Sequence, residues 1–258
     1  MRGKLFEFED QSWFPNTIRS GMTDFLRYLI KLLNVYQPIA PLLIEVLSKT
    51  NQHHIVDLGS GGGGAIEQIH QNLTKLSAKK ITITLTDKFP NPAAWQYIEQ
   101  KTNHMIGFYA DPVDANQVPD TLKGVRTLFS AAHHFEPAQL TKILEAAVVQ
   151  RAGIGLFDGG SKSWWMLLGA ILFQPLIFFV FTPFIRPFKI SRILLTYLVP
   201  VIPFCTVWDG CVSISRLYRP KELLQLAESL SAKNYIWKAG RVKNKLGLQV
   251  AYLIGYPI

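Results

Sequence analysis

Cysteine is almost missing from this chain: Cys205 and Cys211 are the only two in 258 residues. No disulfide framework and no C-x-x-C motif can be built from them, and no Cys/His spacing of the zinc-binding kind occurs, so no metal site is expected. A reducing, intracellular setting follows. The opening "MRGKLFEFEDQSWFPN" lacks the apolar core of a signal peptide, which argues against export by that route. Internal repeats and low-complexity tracts are also missing. Charged side chains are scarce at 17%, yet one sign dominates, with 27 Lys and Arg against 18 Asp and Glu for a net charge of +9. Nucleic-acid binders gather such an excess on a polar surface. Here it stands beside long apolar runs, which suits anionic lipid, and nucleic acid is not an expected partner.

With 48% of its residues hydrophobic, the chain can bury a proper core as one large α/β domain carrying an insertion. Ile18, Met22, Phe25, Leu29 and Leu33 recur at helical steps from Thr17 to Leu33, and a short helix is expected from Ile39 to Leu47. Five strand candidates then alternate with helices: "HHIVDLG", "KITITLTD", "HMIGFYADP", "VRTLFSAAHHF" and "GIGLFDGG". Apolar strands separated by amphipathic helices predict a Rossmann-like, mostly parallel sheet covered on both faces. After an interruption, a helix "RPKELLQLAESL" and two strands, "YIWKAGRV" and "LGLQVAYLIGY", close the chain. The expected organisation is an N-terminal helical cap over 1–50, an α/β domain over 51–162 and 209–258, and an apolar insertion over 163–208.

The stretch "VDLGSGGGGAI", Val56–Ile66, decides the ligand. A phosphate-binding P-loop needs Lys followed by Ser or Thr after its last glycine, where this chain has Ala65 and Ile66. A dinucleotide fingerprint is satisfied by Gly59, Gly61 and Gly64, with Asp87 as the strand-end acid. Yet a pyrophosphate seeks positive potential at the helix N-terminus, and Asp57 stands just before the loop. An acid there suits a ligand that carries positive charge.

At this point the chain resembles class I S-adenosylmethionine-dependent methyltransferases, from about Ile55 to Asp158 and again after the insertion. "VDLGSGGG" matches their first motif, D/E-x-G-x-G-x-G, through Asp57, Gly59, Gly61 and Gly63, with Ser60 between. "LTDKF" matches the second, which implies that Asp87, with Lys88 beside it, takes the ribose hydroxyls. "DANQVP" is similar to the segment that brackets the adenine, which implies Asp114 and Ala115 as its contacts; Asp111 competes with Asp114. "LFSAAHHFEP" is similar to the fourth-strand motif and places Ser130 and a His pair at the cofactor mouth. The order of "FEFEDQSWFPNTIR", the glycine loop, "LTDKFPN" and "WDGCVSISRLYRPKEL" further resembles a bacterial subfamily with an apolar insertion after the fifth strand. There Gly59 replaces a Cys and Ala65 a Pro of the usual loop. The resemblance implies S-adenosyl-L-methionine as cofactor.

Methyl transfer requires the acceptor to be aligned with the sulfonium methyl group and, for a hydroxyl or ammonium acceptor, to lose a proton. Loops at the carboxyl ends of the strands should supply the groups. The catalytic candidates are His133 and His134 after strand four, Asp158 at the end of strand five, and Asp209 where the insertion returns. A histidine there is as readily a shape or hydrogen-bonding residue, and the Asp-Gly pairs at 158 and 209 also read as turn caps. Trp13, Phe14 and Arg19 read as part of an N-terminal helix packed on the sheet, with a lid as the second reading.

Ser163 to Ile185 carries no charge and is long enough to span a bilayer, which takes about twenty residues; the run from Ile193 to Trp208 is shorter. A two-span hairpin would put Arg186, Lys189 and Arg192 on the outer side, against the positive-inside tendency. Pro175, Pro183, Pro187, Pro200 and Pro203 interrupt straight helices. A monotopic insertion is therefore expected on the cytoplasmic side of the membrane, with the three cations at headgroups and Trp164, Trp165 and Trp208 at the interface. The implied partners are membrane lipid and a lipophilic acceptor. A dinucleotide-dependent oxidoreductase and a non-catalytic membrane adaptor remain as alternatives.

Overall fold

Short apolar strands that bury both faces need helices on both sides, and the alternation supplies them. In the computed structural model, which describes residues 5–258, β1 (His54–Leu58), β2 (Thr82–Thr86), β3 (Ile106–Phe108), β4 (Val125–Phe129) and β5 (Ile154–Gly159) pair in parallel. β6 (Tyr235–Lys243) and β7 (Gln249–Pro257) form an antiparallel hairpin that joins the sheet along β5, giving the order β3-β2-β1-β4-β5-β7-β6. This is the mostly parallel α/β sheet that the alternation predicts. The strand order reverses at β1, so a crevice opens beyond the carboxyl ends of β1 and β4.

α2 (Ala40–Lys49), α3 (Ile66–Leu76) and α4 (Pro92–Lys101) cover one face, and α5 (Pro137–Val149) and α9 (Pro220–Glu228) the other. A third core forms away from the sheet. There α1 (Asn16–Leu32) packs Met22 and Phe25 against Phe178, Ile185, Ile202 and Cys205 of the insertion, with the Phe25 and Phe178 rings stacked at 3.8 Å. The other side of α1 meets the glycine loop, where a Cβ on Gly62 would lie 2.8 Å from the Thr23 carbonyl oxygen.

The insertion folds as α6 (Trp164–Phe181), α7 (Ile190–Tyr197) and α8 (Val201–Arg216). Helix α8 runs straight through position 209, so the boundary expected between 208 and 209 falls inside a helix: Asp209 and Gly210 continue its turns. Gly210 allows α6 to approach, since a Cβ there would lie 3.1 Å from Oε1 of Gln174.

Three expectations about the insertion need correction. Arg192 is 1% exposed and donates to Asp24 at 2.7 Å, while Lys189 donates to the same oxygen at 2.8 Å. Only Arg186 of the three cations is exposed. A buried carboxylate on α1 outcompetes solvent for the other two. Trp208 is half-buried against the N-terminal segment, donating its indole N–H to the Phe6 carbonyl at 3.0 Å.

Asp24 is fully buried and accepts in addition from Asn91 at 3.3 Å, so its removal strands two cations in a low-dielectric site. Asp24→Ala is expected to cost about 3–5 kcal/mol in denaturant unfolding. A loss below about 1 kcal/mol, the range of exposed pairs, would show that the cluster contributes little.

Candidate active site

The glycine loop turns sharply because its backbone is held at every side. Ser60 N–H donates to the Thr86 carbonyl at 2.9 Å and Gly63 N–H to the Ser60 carbonyl at 2.7 Å. Gly61 N–H donates to Oδ2 of Asp87 at 2.7 Å, and its carbonyl accepts from the Trp95 indole at 2.9 Å. Gly63 has φ of +90°, and a Cβ would drive into Ile98, so glycine is required there.

Asp57 lies behind this loop. It is 3% exposed, and its two oxygens accept from Ser60 Oγ and Thr127 Oγ1, each at 2.7 Å. Burial pushes its pKa up to about 7, against the two hydroxyl donors. The direct ligand contact expected of Asp57 is corrected to a supporting position, because the carboxylate is enclosed by the strands it joins.

A cavity of about 340 Å³ opens in front, within the range of small-molecule sites. Of the residues expected to hold a cofactor, Gly59, Ser60, Gly61, Asp87, Lys88, Asp114, Ala115 and Ser130 line it; Asp57 and Gly63 do not. Oδ1 of Asp87 also accepts from Phe89 N–H at 2.7 Å, which leaves carboxylate lone pairs toward the cavity. Burial raises the Asp87 pKa. Asp114 rather than Asp111 reaches the wall, its Oδ1 fixed by the backbone and side chain of Asn116, both at 2.9 Å.

Ser130 is held at φ of +50°, a strained value for serine, with its hydroxyl 2.5 Å from that of Tyr36. The Tyr36 oxygen accepts from Gly159 N–H at 3.0 Å and so ties the ends of β4 and β5 together. Arg19 stacks over Phe89, 3.9 Å from the ring centre, and both line the cavity, a contact that N-terminal helical periodicity did not reveal.

Residues 7–10 form a strap, of which Glu9 and Asp10 line the cavity. Phe8 and Glu9 donate their N–H groups to the two oxygens of Asp209, at 2.7 and 3.0 Å, and Arg19 Nε donates to the Glu9 carbonyl at 2.9 Å. Asp209 thus anchors the strap from α8 and does not line the cavity, which corrects its place among the catalytic candidates. Burial pushes its pKa up to about 7.

Of the four catalytic candidates, His134 alone is on the wall. Its Nδ1 lies 2.6 Å from Glu7 and 3.0 Å from Asp10, and Nε2 lies 3.4 Å from Glu9. Burial opposes its charge, but Glu7 and Asp10 outweigh burial and hold its pKa well above the usual histidine value. Burial likewise works against the Glu7 carboxylate, yet His134 pulls it down to about 2. A histidine so held is a cation and a donor at neutral pH, not a base. His133 and Asp158 sit together behind the wall, 3.3 Å apart and nearly enclosed. Glu7, His133 and His134 also bring three possible metal ligands together from distant parts of the chain, which sequence spacing does not show.

No protein-family model matches the chain, and no curated protein matches it. Solved structures resemble its overall course. A putative O-methyltransferase from Nostoc punctiforme is 11% identical with a TM-score of 0.49, over 90% of this chain and 59% of its own. Human N-acetylserotonin methyltransferase in complex with SAM is 15% identical with a TM-score of 0.47, over 90% and 55%. An O-methyltransferase family protein from Burkholderia thailandensis is 12% identical with a TM-score of 0.46, over 86% and 56%. The chain thus spans little more than half the length of these proteins.

A carboxyl whose folded pKa exceeds its unfolded value favours the folded state only while it is protonated. For Asp57 that contribution is complete below the ordinary value of 3.8 and is lost as pH rises to about 7. The stability of the natural chain relative to Asp57→Asn, measured by urea unfolding, should fall between pH 4 and 7 and level off above. A difference that rises over that interval would reverse the assignment.

Proposed function

We propose that the chain is an S-adenosylmethionine-dependent methyltransferase working at a membrane surface on a lipophilic acceptor, either a lipid or a hydrophobic small molecule. The observation that carries this reading is the Asp87 carboxylate, drawn onto the glycine loop by Gly61 N–H and presented to the cavity. Several loop N–H groups that a pyrophosphate would need are already engaged within the protein. Glu9, Asp10, Asp87 and Asp114 all reach the wall. Arg19, Arg27, Lys88 and His134 line it too, so the reading rests on the place of Asp87 beside the glycine loop and not on the charge of the whole wall.

In this reading Asp87 takes the ribose hydroxyls, and Asp114 with Ala115 takes the adenine edge. Lys88, 3.7 Å from Asp114, steadies that carboxylate. The cofactor supplies a methyl group on a cationic sulfur. His134, charged and on the cavity wall, donates to an acceptor oxygen and orients it. His133 and Asp158 hold His134 and the loop after β4 in place, with the two imidazoles 4.4 Å apart.

The insertion supports the membrane part of the proposal. Among the described residues, eighteen of the twenty-eight large exposed hydrophobics fall between Trp164 and Phe204, far more than a soluble surface usually gathers in one place. Trp164 and Trp165 are 70% and 77% exposed. One helix, Trp164–Phe184, is long and apolar enough to cross a bilayer, while α7 and α8 meet at a 79° bend. Both ends of α6 stay on the domain, through Met166 against Gly160 and Phe178 on Phe25. The turn after it is tied to Asp24. A helix held so lies along a surface, and we place it on the cytoplasmic leaflet.

Calorimetry with S-adenosylhomocysteine should show binding that Asp87→Ala weakens by about 1.5–3 kcal/mol, the range of a charge-assisted hydrogen bond. Heat with NAD and none with S-adenosylhomocysteine would favour an oxidoreductase instead. Incubation of membranes with labelled S-adenosylmethionine, then extraction, should place label in the lipid-soluble fraction; cofactor binding without transfer would mark an adaptor. Replacing Trp164 and Trp165 by Ser should weaken flotation with anionic vesicles at least ~10-fold, given about 1.5–3 kcal/mol for each large side chain buried. Cofactor affinity should stay unchanged, and undiminished flotation would remove the membrane role from this face.

A further inference from the structure

The pair His133–His134 has more carboxylates around it than methyl transfer requires. The rings lie 4.4 Å apart with their planes at 32°. One ligand atom from each of Glu7, His133 and His134 falls within 4.8 Å of the others. These three side chains are 0%, 7% and 17% exposed. Asp158 stands 3.3 Å from Nδ1 of His133, the carboxylate–imidazole support that orients metal-binding histidines. Asp10 and Glu9 lie 3.0 and 3.4 Å from the two nitrogens of His134.

Charge points the same way. Glu7, Glu9, Asp10, Asp87, Asp158 and Asp209 gather against the guanidiniums of Arg19 and Arg216 and the two imidazoles. Glu7 and Asp10, 2.6 and 3.0 Å from Nδ1 of His134, are the carboxylates placed to attract a cation there. Two imidazoles and a carboxylate, brought together by the strap and the turn after β4, make a donor set for borderline divalent cations, not for the all-oxygen shells of magnesium or calcium.

We propose that Glu7, His133 and His134 bind a divalent transition cation of the zinc type, which would displace the proton that His134 otherwise carries. Three protein ligands leave a coordination position open, as in catalytic zinc sites, and His134 places it at the cavity wall. The catalytic use of this site rests on the methyl-transfer reading above; the binding itself does not. A bound cation would take an acceptor hydroxyl, whose proton then leaves to water. The oxygen forms its bond to the methyl carbon as the carbon–sulfur bond breaks and its electron pair returns to sulfur. The acceptor would thus be a phenol, an enol or a similar weakly acidic hydroxyl.

The test is titration of the chelator-stripped full chain with Co²⁺, followed by visible absorption, and with Zn²⁺, followed by calorimetry. One equivalent should bind, with intense d–d bands of a low-coordinate nitrogen and oxygen site. His133→Ala and Glu7→Gln should each weaken binding by more than the ~10–100-fold typical of supporting residues. His104→Ala, at an exposed ring, should leave binding unchanged. If either variant does not fold, hyperfine-shifted imidazole resonances in the Co²⁺-loaded natural chain report the two histidines directly. No stoichiometric binding by the natural chain, or binding that shows no imidazole ligation, overturns the site. Metal binding without methyl transfer would leave the site standing and refute only its catalytic use.

Discussion

A single buried carboxylate holds the parts of this protein in relation to one another. Asp24, in the middle of α1, receives Arg192 and Lys189 from the insertion and Asn91 from the cap before α4. The preceding residue of the same helix, Thr23, abuts Gly62 of the glycine loop. The apolar insertion is therefore bound to the wall of the cavity and does not hang from the domain as an independent unit. Two cations and a carboxylate brought out of water together are stable only when each is fully partnered, which makes this cluster sensitive to any one loss.

That constraint shapes the cavity as well. With α1 fixed, Arg19 is presented to Phe89 on one side and to the strap on the other, and Asp209 of α8 clamps the strap by its two free N–H groups. Movement of the insertion would shift Asp209, and with it the carboxylates of Glu7, Glu9 and Asp10 around His134. The exposed apolar surface of the insertion and the strap around His134 are thus parts of one packed unit.

Much of this was legible in the chain itself. Strand and helix periodicity revealed the sheet, because buried parallel strands leave continuous apolar runs in sequence. The motif spacing located the cavity wall, because Gly59, Gly61, Asp87 and Asp114 are set by local backbone geometry. What spacing could not show were partnerships between residues far apart. Asp57 reads as a ligand contact until Thr127, seventy positions away, is seen to take one of its oxygens. Lys189 and Arg192 read as headgroup contacts because nothing near them in sequence shows Asp24. Asp209 reads as a catalytic candidate or a turn cap, because the insertion returns there and Asp-Gly favours turns, yet tertiary packing keeps the helix going. The strap was missed for the same reason: its three acids matter only once His134 folds beneath them.

The most direct test of the account is a crystal structure with S-adenosylhomocysteine bound. The account predicts ribose hydroxyls on the Asp87 carboxylate, adenine beside Asp114 and Ala115, and the sulfur directed toward His134. Adenosine lying elsewhere, or a dinucleotide whose pyrophosphate rests on Gly61 N–H after displacing Asp87, would contradict it.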